Sequence, residues 1–132
     1  MVLVLDEELI EKFEDGSLPI SLFHHEEHVR IAFLYLLRYP VLEVLERFPT
    51  ALKRYAAMHG KAGLYHETIS WAYIFIINER VLRAGSAPTW EMFRAANADL
   101  LDRTAPILGK YYREETIASP AARERFVMPD RC

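Results

Sequence analysis

Cysteine is nearly missing from this chain: there is one, Cys132, and it stands last. A lone thiol closes no intramolecular disulfide and builds no Cys-rich zinc motif. A reducing, cytoplasmic setting is therefore expected. An excess of one charge is missing too. The 16 Lys and Arg and the 19 Asp and Glu are interspersed, and the net charge is −3. No basic stripe marks nucleic acid as a partner. Long apolar runs do not occur: the longest, 31–37 and 71–77, fall far short of the roughly 20 residues of a membrane span. No membrane association is expected. Residues 1–6 carry no basic segment, and their apolar run is too short for a secretory signal. The 5 glycines form no phosphate-cradling loop or nucleotide signature.

What is present is apolar and helical. A hydrophobic fraction of 52% over 132 residues suffices for one core, so residues 1–132 are expected to form a single domain. A first helix is read over 6–14, with Asp6 as cap and Leu9, Ile10 and Phe13 at helical spacing. A second is read over 22–38 from Ser21, with polar opening turns and an apolar body. A third spans 41–59, with a break expected near Phe48 because Pro49 follows, and with Gly60 as its left-handed stop. A fourth runs from about 65 to 83 and repeats the design of the second. A fifth is read over 90–102 with Thr89 as cap, and short helices over 107–112 and 121–126, the last capped by Ser119. The expected fold class is all-α: a single-domain helical bundle of four main helices plus several short ones.

Four of the five histidines lie in two stretches, Phe23-His24-His25-Glu26-Glu27-His28 and Tyr65-His66-Glu67-Thr68, each opening an apolar helix. Residues three or four apart share a helix face. His25 and His28 fall on the face that continues through Ala32 and Leu36, while His24 leans outward. His66 and Glu67 diverge by ~100°. Three imidazoles beside a carboxylate suit a divalent metal such as zinc, iron, nickel or manganese. The candidate metal ligands are thus His25, His28 and His66, with Glu67 as a fourth ligand or as the catalytic base on a metal-bound water. The di-iron Glu-x-x-His repeats and the zinc-protease His-Glu-x-x-His pattern are both absent. His59 is read as a partner of a helix C-terminus.

The same stretches carry a resemblance. Phe23-His24-His25-Glu26-Glu27-His28 with Val29 and Ala32, then Tyr65-His66-Glu67-Thr68, then Tyr111-Tyr112 and Phe126-Val127-Met128-Pro129-Asp130 resemble the ordered motifs of a group of small bacterial helical proteins of unassigned function. The resemblance implies that His25, His28, His66 and Glu67 are the positions to watch. It implies no reaction.

Three functions compete. The first is a metal-binding helical protein, and a mononuclear metalloenzyme within that class. The second is a metal-free site in which the histidines and Glu67 bind an anionic or polar small molecule or act as an acid/base pair, with Trp71, Tyr73 and Tyr35 lining the pocket. The third is a non-catalytic oligomerisation module, a homodimer formed through Trp90, Phe93 and the aromatic tail.

Overall fold

The computed structural model describes residues 5–104 and 106–131. Residues 1–4, Ala105 and Cys132 lie outside it, and with them most of the opening segment and the lone cysteine noted above. Among the described residues the fold is all-α, with no strand. The helices are α1 (Asp6–Asp15), α2 (His25–Arg38), α3 (Val41–Met58), α4 (Glu67–Ala84), α5 (Trp90–Ala96), α6 (Glu114–Ile117) and α7 (Pro120–Glu124). Short 3-10 turns cover Ile20–Leu22, Ala62–Leu64, Ala98–Leu101 and Ile107–Lys110.

The centre of the bundle is α2. It packs against α1, α3, α4 and α5, and its residues Val29, Ile31, Ala32, Phe33, Leu34, Tyr35 and Leu36 are all buried. An apolar surface running almost all round a helix needs such neighbours on most sides. The core continues through Phe13, Phe48, Tyr55, Ile74 and Ile77. Trp90 and Phe93 belong to it as well, at 5% and 2% exposure. Both pack on Phe33, with ring centroids 5.7 and 4.5 Å away. They are core residues and offer no dimer surface.

Several boundaries differ from the sequence reading, each for a local reason. Leu5, not Asp6, caps α1, and Asp6 instead accepts from Arg30. The second helix starts at His25, three residues later than expected. Phe23 interrupts it with φ −95° and ψ 83°, because its ring is drawn onto Phe13 and Tyr55 at 5.8 and 5.0 Å. The third helix does not break at Pro49. Proline withholds from that turn the donor that the Leu45 carbonyl would accept, and the helix runs on past it; the Thr50 hydroxyl adds a bond to the neighbouring carbonyl of Glu46 at 2.7 Å. The fifth helix ends early, at Ala96. There the side chain of Asn97 donates to the Phe93 carbonyl and accepts from Arg80, which competes with further helical turns. Helix α6 had no expectation. The caps Thr89 and Ser119 and the left-handed Gly60 stand where they were read.

Candidate functional site

Helix α4 begins with an imidazole as its cap. The backbone of His66 is extended, and its Nδ1 accepts the N–H of Ile69 at 3.1 Å. That satisfies one of the donors every helix leaves open at its start. A nitrogen that accepts carries no proton, so the proton sits on Nε2. From there it is donated to the carbonyl of Ile117, 2.7 Å away and 51 residues on. The residues beside it work the same way. Thr68 is fully buried; its hydroxyl donates to the Arg125 carbonyl at 2.7 Å and accepts from the Val127 N–H at 3.0 Å. The Tyr65 hydroxyl donates to Glu67 at 2.5 Å. Burial first, and the Glu67 carboxylate second, hold the Tyr65 phenol well above its ordinary range. The Tyr-His-Glu-Thr stretch is therefore a clasp that ties the chain beyond Arg113 to the start of α4.

At the start of α2 the Glu27 carboxylate accepts the backbone N–H of His24 at 2.9 Å, one half of a capping box. The exposed His24 ring meets the same carboxylate. His25, the first helical residue, gives Nε2 to the carbonyl of Leu100 at 2.8 Å, across 75 residues. His59 does likewise with Gly16, at 2.9 Å across 43 residues, rather than serving its own helix terminus. Three imidazoles thus each hold a backbone carbonyl from a distant segment.

His28 differs. Its ring lies among Phe23, Phe48, Tyr73 and His25, with centroids 6.1, 5.3, 6.4 and 6.4 Å away. Although part of the residue remains accessible, its Nε2 is shut off from solvent and has no hydrogen-bond partner. Burial, and secondarily the neighbouring His25, lower its pKa to about 4, so the imidazole is neutral at pH 7.

Two cavities flank these rings. One, of about 430 Å³, is lined by His28, His66 and Ser70 with Phe23, Leu52 and Tyr55, and has Lys61 among its residues. The other, of about 510 Å³, is lined by His25 and Tyr73 with Arg103 and Arg113. Ile69 lines both. The polar openings of α2 and α4 therefore lie at one end of the bundle, as a shared site requires. The histidines themselves divide between the cavities. Both nitrogens of His66 and one of His25 are engaged with the backbone, and Glu67 is held by Tyr65. Among the described residues no group of three or more His, Cys, Asp or Glu side chains could hold a metal ion.

Of the aromatic residues read as pocket lining, Tyr73 is at a cavity. Tyr35 is in the core and donates to Glu14, and Trp71 stacks on Phe126 at 5.4 Å. Lys61, Ile69, Arg103 and Arg113 reach the cavities unannounced. They come from loops and a helix side, with no motif to flag them. No helix among the described residues is long and apolar enough to cross a membrane. No family model, no curated protein and no solved structure matches the chain.

Proposed function

We propose that this chain binds a small, mainly apolar molecule bearing a hydroxyl group, in the cavity between the starts of α2 and α4 and the side of α3, with His28 as the polar contact. What supports this reading is the unpartnered Nε2 of His28, closed to solvent as the ring stands, which a turn of the ring toward the cavity it lines would bring to a ligand. A buried polar atom without a partner costs about 1–3 kcal/mol, and native structures rarely leave one so. A ligand hydroxyl can donate or accept, so it fits either tautomer of the neutral ring. The walls suit the rest of such a molecule. Phe23, Leu52, Tyr55, Leu64 and Ile69 are mostly carbon surface, and about 430 Å³ is within the usual range for a small-molecule site.

Phenol is the first probe. Titrated into protein with nitrogen-labelled histidine, it should move the Nε2 resonance of His28 and the methyl resonances of Leu52 and Leu64. His28→Phe keeps an aromatic ring in place and should weaken phenol about two- to tenfold, the worth of one neutral hydrogen bond. Toluene should bind both proteins alike. No response at His28 to phenol at millimolar concentration overturns the reading. A response to zinc, iron, nickel or manganese in place of phenol overturns it in favour of a metal site.

A further inference from the structure

The second cavity carries a different chemistry. Tyr73 is only 6% exposed, yet its hydroxyl enters no hydrogen bond among the described residues and is not among the buried unpartnered atoms. It therefore opens to the cavity it lines. Buried tyrosines generally find a partner for the O–H. Arg103 lines the same cavity. Its guanidinium makes no hydrogen bond or ion pair among the described residues, and its charge is felt at the Tyr73 phenol. The remaining wall includes Ile69, Leu108 and Ile117.

We infer that this cavity is a recognition site for small monocarboxylates with an apolar body, the carboxylate meeting the Tyr73 hydroxyl and the Arg103 guanidinium. An ionised acceptor makes the strongest partner for both donors, and the planar guanidinium fits a carboxylate edge. Arg113 adds positive charge, while Asp102 and Glu114 add negative charge on the same wall. Two basic and two acidic side chains leave the wall no surplus of positive charge for a dianion, so a carboxylate is favoured over a phosphate. A volume of about 510 Å³ accommodates a single ring with its acid group.

Benzoate tests this, with phenyl phosphate and benzyl alcohol as the other arms. Benzoate should bind in the millimolar range or better and shift the methyl resonances of Leu108 and Ile117, which line this cavity and not the one holding His28, and not those of Leu52 and Leu64. Phenyl phosphate should bind more weakly, and benzyl alcohol weakest of the three. Tyr73→Phe removes no hydrogen bond within the protein, so its melting temperature should hold while benzoate affinity falls about tenfold. Arg103→Ala should do the same, and Arg103→Lys should recover part of the loss. No benzoate binding, binding that shifts Leu52 and Leu64 instead, or affinity untouched by Tyr73→Phe overturns the inference. The methyl readouts separate this site from the one holding His28, so either can fail without the other.

Discussion

The imidazole of His66 joins two segments far apart in the chain: Nδ1 takes the Ile69 N–H and Nε2 donates to the Ile117 carbonyl. Replacing it with alanine removes a helix cap, worth about 1 kcal/mol, and orphans a carbonyl at a further cost of about 1–3 kcal/mol. His66→Ala should therefore lower the unfolding free energy by about 2–4 kcal/mol in urea titrations. Asparagine can still cap but is too short for Ile117, so His66→Asn should recover about 1 kcal/mol.

Thr68 offers a local test of the same clasp. Thr68→Val keeps the shape of a fully buried side chain and deletes both of its bonds to the chain around Arg125 and Val127. The Val127 amide should exchange with solvent at least tenfold faster, given about 1–3 kcal/mol for each stranded group. The amides in the middle of α2 should change far less.

Acid should act through His28. Its pKa is about 4 in the folded protein against 6.5 when unperturbed, so between those values the unfolded chain binds more protons. Stability then rises with pH across that window. The contribution is complete above pH ~6.5 and gone below ~4, and amounts to roughly 3 kcal/mol at 1.36 kcal/mol per pKa unit. Urea midpoints measured from pH 7 to pH 4 should fall accordingly. In His28→Phe the fall within that window should be much shallower.

Pro49 sits inside an unbroken helix. Alanine there would restore a backbone donor and relieve a clash, together worth about 3 kcal/mol. It would also remove two buried ring methylenes at about 0.8 kcal/mol each. The backbone effect is the larger, so Pro49→Ala should stabilise the protein by about 1 kcal/mol, raising the thermal midpoint by a few degrees.

The helical plan was legible because its signals are local. Thr89, Ser119 and Gly60 act on their own turns, and the inward His28 follows from helical spacing. The histidine partners were not legible. His25, His59 and His66 donate to the carbonyls of Leu100, Gly16 and Ile117, and a backbone carbonyl is the same in every residue. A stretch rich in imidazole and carboxylate therefore looks alike in sequence whether it faces an ion or a strand of backbone. The late start of α2 has a similar origin, since Phe23 answers to Phe13 and Tyr55 rather than to its neighbours in the chain.

The three imidazole clasps also place a timing on folding. They close loops of 75, 43 and 51 residues, and closure entropy must be met before any such bond returns energy. Those of His25 and His66 reach carbonyls beyond α4, so they are expected to close after α1–α4 have packed. Removing one should leave the refolding rate nearly unchanged and speed unfolding, visible as movement of only one arm of a chevron plot. By that measure these histidines set how long the native state lasts once formed, more than how quickly it is reached.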